Sequence, residues 1–185
     1  MRGGSPPLVL LLAGLPGAGK SRLAERLAPL LEAAVLNRDT IRDSLFPPAA
    51  LDYSAAQNKV ATDAMLAVLD YLLEHKHFPA IVLDGKPFSR QSEIAAVADI
   101  VRRREARLLV VHCIAPPDVI DARLERDLVD PRNRRARRDP AKAARIRAEF
   151  EPILAPQVII DTSTGTSDEL ASRVFAAINE FQKGP

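Results

Sequence analysis

A three-layer α/β domain, with a mostly parallel sheet packed between helices, is the fold class that three observations predict. Short apolar segments alternate along the chain with segments of helical period, the pattern of strand–helix–strand units. The first segment, PLVLLLAG at residues 7–14, is a continuous Leu/Val run ending in glycine, as a central parallel strand buried on both faces requires. A later run, PAIVLD at residues 79–84, is equally apolar and ends in an acid. Right-handed crossovers between such strands leave five parallel strands flanked by helices.

The elements follow in order. Residues 20–31 carry Leu23, Leu27, Leu30 and Leu31 at amphipathic-helix spacing. AAVLN at 33–37 is a short second strand, and residues 38–44 form a polar helix with Asn37 or Asp39 as its N-cap. The Phe46–Pro48 segment breaks that helix. Residues 54–75 make the longest helical pattern, with Val60, Ala64, Ala67, Val68, Tyr71 and Leu72 predicted on the core face. The strand at 79–84 follows, then a helix over 89–104 capped by Ser89. Residues 107–114 form the fourth strand, and 116–128 a helix with proline in its first turn. DPRNRRARRDP at 130–140 has one apolar residue, Ala136, and is expected to be a mobile loop. A helix over 141–151, a fifth strand at 157–161 and a closing helix over 167–181 complete the domain, predicted to span residues 8–185 after a flexible lead-in at 1–7.

Composition bounds the function. With 185 residues, 47% hydrophobic and 27% charged, the chain has the makeup of one globular domain. The apolar run near the N-terminus is too short to span a bilayer and leads directly into glycines, so neither a membrane anchor nor a targeting segment is expected. Cys113 is the only cysteine and lies in an apolar strand, which favours a reducing, cytoplasmic setting. The net charge of +2 conceals an asymmetry: residues 101–150 hold 14 Lys/Arg against 8 Asp/Glu, leaving the remainder at −4. Clustered positive charge attracts phosphates. A solvated helical face is the plainer reading.

Residues 14–21, GLPGAGKS, match G-x-x-x-x-G-K-[ST] and sit directly after a buried strand and before a helix. Glycines let successive backbone N–H groups turn toward one anion, and the helix adds the positive end of its dipole. Gly14, Leu15, Pro16, Gly17, Ala18, Gly19, Lys20 and Ser21 are therefore the candidate ATP cradle. Lys20 is suited to the β- and γ-phosphates and the Ser21 hydroxyl to Mg²⁺. Asp84, at the end of the third strand, is the second candidate at the metal. A loop-facing acid capping the next helix is its alternative.

Other nucleotide-binding classes fit less well. A GTPase needs N-K-x-D after a strand, whereas Asn58-Lys59 is followed by Val60-Ala61 inside a helix. A hexameric AAA-type motor needs an additional helical domain, for which 185 residues leave no room. A compact nucleotide-dependent kinase remains, and it needs an acceptor site and a lid. Asp39, at the carboxyl end of the second strand, is placed to accept a proton from an attacking hydroxyl. Arg42 shares its helical face and is suited to clamp an acceptor phosphate or steady the transferring group. An exposed Asp39–Arg42 surface pair is the alternative.

The loop GLPGAGKS, followed by LNRDTIRDSL at 36–45 and by the strand ending IVLDG, resembles the polynucleotide 5′-hydroxyl kinase family and the related zeta-toxin-like small kinases. The resemblance implies phosphoryl transfer from ATP, with Asp39 as general base, Arg42 as the acceptor-phosphate arginine and Asp84 as the acid beside the metal. The chain departs from the pattern at Gly85-Lys86-Pro87-Phe88, where Lys86 is placed to make its own acceptor contact, and in its arginine-rich lid.

Phosphoryl transfer must exclude water, and a segment over about 123–150 is the candidate lid. Arg123 and Arg126 share a helix face and are the arginines expected at the phosphates, followed by Arg132 and Arg135. His75, His77 and His112 have no spacing that suggests a metal site, and His112 reads as a core histidine. Tyr53 and Phe88 are the aromatics near the predicted acceptor rim. Aromatic content of 4% leaves few platforms for stacked bases, and the basic residues concentrate on the lid instead of forming a second stripe, so a small hydroxyl-bearing acceptor is favoured over a nucleic acid. A P-loop ATPase and an ATP-switched binding module are the competing functions.

Overall fold

The computed structural model describes residues 6–129 and 140–183, with no side-chain detail at 128–129 and 140–142. The strands are β1 (Leu8–Ala13), β2 (Ala33–Asn37), β3 (Ala80–Asp84), β4 (Arg107–Ile114) and β5 (Gln157–Asp161). The helices are α1 (Lys20–Leu30), α2 (Arg38–Leu45), α3 (Ala55–Glu74), α4 (Gln91–Arg103), α5 (Pro117–Val129), α6 (Pro140–Ala148) and α7 (Ser167–Lys183). The lead-in at residues 1–5 and the arginine loop at 130–139, with Arg132 and Arg135, lie outside the described residues.

All pairings are parallel, in the order β2-β3-β1-β4-β5. β1 is central and every one of its residues is buried. Its alternate side chains feed two separate cores, since successive residues of a strand point to opposite faces. Leu8, Leu10 and Leu12 pack with Leu23 and Leu27 of α1 and with Val174 and Ile178 of α7. Val9, Leu11 and Ala13 pack instead with Met65 and Leu69 of α3 and with Val97 of α4. The predicted three-layer fold is thus the observed one. Leu10→Ala, which empties space in a fully buried layer, is expected to cost about 3 kcal/mol of stability. Urea unfolding would check this, with a lower midpoint at unchanged slope.

Local chemistry sets two boundaries differently from expectation. The core face of α3 is not the Val60–Val68–Tyr71 stripe: those residues are 48%, 41% and 54% exposed. Gln57, Ala61, Met65, Leu69 and Leu73, spaced at i, i+4 throughout, face inward instead. α3 is apolar on several sides, so composition alone points weakly to one face. Ser89 does not cap α4. Arg90 holds the N-cap position, and its backbone N–H donates to the Glu93 carboxylate at 3.3 Å. Among the described residues, no helix is long and apolar enough to cross a membrane.

Candidate active site

The carboxyl ends of the strands meet at one cleft of about 880 Å³. The strand order explains its position. The chain moves from β1 outward to β2, returns through β3, and then crosses to β4 on the other side, so a crevice opens beyond the end of β1. The glycine-rich loop occupies that crevice.

Gly14 starts the loop at φ 137°, and a Cβ there would lie 2.2 Å from the carbonyl oxygen of Cys113. No side chain fits, so the strand can turn this sharply against β4 only with glycine. The Gly14 N–H donates to Pro87 O at 2.9 Å and the Ala18 N–H to Leu15 O at 3.1 Å, while Ala18 itself is buried beneath the loop. Pro16, Gly17, Gly19, Lys20 and Ser21 line the cleft. Gly19 is the N-cap of α1, which aims that helix's N–H groups at the cleft. Lys20 Nζ donates to Gly14 O and Leu15 O, each at 2.8 Å, lying along the loop whose phosphates it is expected to meet.

Asp84 ends β3 and is 1% exposed. Its Oδ2 accepts from Asn37 Nδ2 at 2.6 Å, across the register pair that joins β2 to β3. Its Oδ1 is buried and has no hydrogen-bond partner among the described residues. Such an oxygen needs a cation or a water to offset its desolvation. Together with the Ser21 hydroxyl, which also lines the cleft, this is a donor set suited to Mg²⁺.

Asn37 also caps α2, accepting from the N–H groups of Asp39 and Thr40 at 3.0 and 3.1 Å, so Asn37 and not Asp39 is the cap. Gly85 packs against this cap with φ 82°; a Cβ there would lie 2.7 Å from Asn37 Oδ1 and 2.8 Å from Arg38 N. Gly85→Ala is therefore expected to lose about 2 kcal/mol of stability. A melt that matches the parent protein would contradict that expectation.

The cap holds Asp39 between two guanidinium groups. Asp39 Oδ1 accepts from Arg38 at 2.9 Å and from Arg42 at 3.0 Å. Arg42 is 6% exposed, so the pair is not the surface ornament that sequence left open. Its guanidinium also reaches Asn58 Oδ1 at 3.0 Å and Asp43 at 3.2 Å, and it stacks 4.5 Å from the Tyr53 ring centroid. Asn58, part of the Asn-Lys pair set aside as a guanine motif, is thus a partner of Arg42.

On the far side of the cleft, Arg123 donates to Gly17 O at 3.2 Å, to Thr162 Oγ1 at 2.9 Å and to Thr162 O at 2.8 Å. Burial, and then the like charges of Arg22 and Arg126, draw its pKa below the usual guanidinium value. Arg126 also lines the cleft but is exposed. The cleft therefore brings together Lys20, Ser21, Asp39, Arg42, Asp84, Arg123 and Arg126. The end of the predicted lid is docked, with Phe150 stacked on His112 at 5.3 Å. His112 is half-buried and that burial lowers its pKa, whereas full burial pushes the Cys113 thiol up to about 12.

Some residues do not behave as expected. Phe88 is 1% exposed and belongs to the core, not the rim. Lys86 does line the cleft, where it pairs with Glu93 at 2.7 Å. Thr162 and Glu93 line the cleft although no motif marked them, and so does Arg38, which lies within LNRDTIRDSL but was given no role there. Thr162 had one signal, its place just beyond the end of an apolar strand, where parallel sheets hold ligands.

The family model described as an AAA domain matches residues 9–153. That match is not to the polynucleotide 5′-hydroxyl kinases that the N-terminal motifs resemble. No curated protein matches the chain. Among solved structures, a Mycobacterium tuberculosis APS kinase in complex with AMPPNP and APS superimposes at TM-score 0.67 and 20% identity, over 95% of this chain and 99% of that one. A gluconokinase from Sinorhizobium meliloti 1021 gives TM-score 0.69 at 14% identity, over 97% and 96%. A shikimate kinase from Acinetobacter baumannii in complex with shikimate gives 0.58 at 19%, over 95% and 94%. At these identities the likeness is one of fold: a P-loop kinase fold.

Proposed function

The chain belongs to this AAA domain family, and from that premise we propose that it is an ATP-dependent phosphotransferase acting on a hydroxyl group. One observation carries the reading: Pro16, Gly17, Gly19, Lys20 and Ser21 of the glycine-rich loop, the Asp84 carboxylate with its orphaned oxygen, and the arginine-held Asp39 carboxylate all line a single cleft. A site built only to bind or hydrolyse nucleotide has no need of a carboxylate fixed by two arginines across from its phosphate loop. The kinase structures that share the fold support the same reading.

The roles follow from position. Backbone N–H groups of the loop and the start of α1 would bind the β- and γ-phosphates, and Lys20 would move from its two carbonyl contacts to the phosphate oxygens. Ser21 and Asp84 would hold Mg²⁺, which when bound neutralises charge on the β- and γ-oxygens. Asp39 would orient the acceptor hydroxyl and take its proton as the oxygen attacks the γ-phosphorus in line. Arg42, engaged by two acids, Asn58 and Tyr53, acts as a positioning residue for Asp39. Arg123 braces the loop against Thr162, and Arg126 is the cleft arginine suited to charge on the transferring group.

The test is turnover of Mg-ATP with and without a panel of hydroxyl compounds. Phosphorylated product that depends on one acceptor is the expected result. Hydrolysis at the same rate whatever is added would overturn the proposal in favour of an ATPase.

A further inference from the structure

The cleft is divided electrically, and the division bears on which acceptor it takes. Its β5 side carries Arg22, Arg123 and Arg126, none of which forms an ion pair among the described residues. Arg123 spends its N–H groups on neutral oxygens of Gly17 and Thr162. Glu25 and Asp127 line the cleft as well, but the three arginines outnumber them, and that excess of positive charge is of the kind a triphosphate neutralises.

The β2–β3 side differs. Among the described residues, each cation lining it is matched by a carboxylate. Arg38 and Arg42 hold Asp39, Arg42 also holds Asp43, and Lys86 holds Glu93. These are not loose surface pairs: the side chains of Arg38, Asp39, Arg42 and Lys86 are 14%, 13%, 7% and 14% exposed. Both oxygens of Glu93 are engaged, one by Lys86 and the other by the Arg90 backbone N–H. Lys86 is further confined over the buried Phe88 ring, 5.9 Å from its centroid.

From this balance we infer that the acceptor is an uncharged polyhydroxyl compound, such as a sugar, a sugar alcohol or a nucleoside, with the Lys86–Glu93 couple as its specificity determinant. The inference rests on the phosphotransferase reading above. A prepaired ammonium and carboxylate, side by side, offer a donor and an acceptor to neighbouring hydroxyls without either charge being uncovered. An acceptor bearing a carboxylate or phosphate would have to displace Glu93 from Lys86, or lie against the Asp39 and Glu93 carboxylates. Like charges brought together in a partly desolvated cleft discriminate strongly. Nothing covalent is asked of the couple: the hydroxyl proton goes to Asp39 and the phosphoryl group to the acceptor oxygen, with ADP leaving.

The experiment uses the full chain, Mg-ATP and matched acceptors, each a neutral polyol, hexose or nucleoside set against its own carboxylate or phosphate derivative. Neutral members are expected to be phosphorylated with kcat/KM roughly 100-fold or more above their charged counterparts. Preference for a charged member overturns the inference while leaving the kinase reading intact. ATP hydrolysis that no compound stimulates overturns the kinase reading itself, and the inference with it. Glu93→Gln supplies the second arm, because the amide oxygen still accepts from the Arg90 N–H but no longer neutralises Lys86. Its charged-to-neutral preference is expected to rise by roughly tenfold or more. An equal loss toward both members would show that Glu93 only caps α4, and would remove the couple from the recognition site.

Discussion

Lys20→Ala is expected to abolish phosphoryl transfer, lowering kcat/KM by roughly 10³-fold, about 4 kcal/mol of transition-state stabilisation. Its ammonium is the single cation carried by the loop itself, and it lies across the carbonyl oxygens of Gly14 and Leu15. Without it the γ-phosphate loses a positive partner as charge shifts onto the leaving oxygen. Nucleotide affinity should fall along with rate, so titration calorimetry with a non-hydrolysable ATP analogue is the companion measurement. Turnover near that of the parent protein would remove the phosphate loop from the account altogether.

Asp39→Asn separates chemistry from binding. The amide has nearly the carboxylate's shape and retains one oxygen to accept from Arg38 and Arg42, so α2 and its Asn37 cap have no reason to move. What disappears is the capacity to take a proton. Transfer to the acceptor should fall by roughly 10²–10⁴-fold. ATP affinity should stay close to the parent value, because Asp39 belongs to the β2 side of the cleft and the loop to the end of β1. Rates measured at saturating ATP and acceptor, beside an ATP dissociation constant, decide it. Undiminished transfer would reduce Asp39 to a counter-ion for two arginines.

The N-terminal third of the site was legible in the sequence because its chemistry is local. A loop in which Gly14 must approach the β4 backbone, followed directly by lysine and serine at a helix start, announces itself in eight residues. Asp84 was legible for a related reason, as an acid closing an apolar run. The face of α3 was not, since Val60, Val68 and Tyr71 are as apolar as the residues that turned inward. Only the docking of α3 against β1 and β3 distinguishes Met65 and Leu69 from them. Arg42 was ambiguous for a similar reason: its i, i+3 spacing from Asp39 is the same whether solvent or Tyr53 and Asn58 surround it.

By itself, the sequence determined the parallel α/β layering, the phosphate loop and the acid at the end of β3. Strand burial, backbone turns and helix starts are properties of neighbouring residues. Tertiary structure alone decided that Asp39 is fixed by two arginines, that Lys86 is matched by Glu93, and that Arg123 binds Gly17 and Thr162. Those contacts join residues from separate strands and helices. Their pairing sets where the cleft is positively charged and where it is balanced, a property of charges in space that no stretch of chain contains.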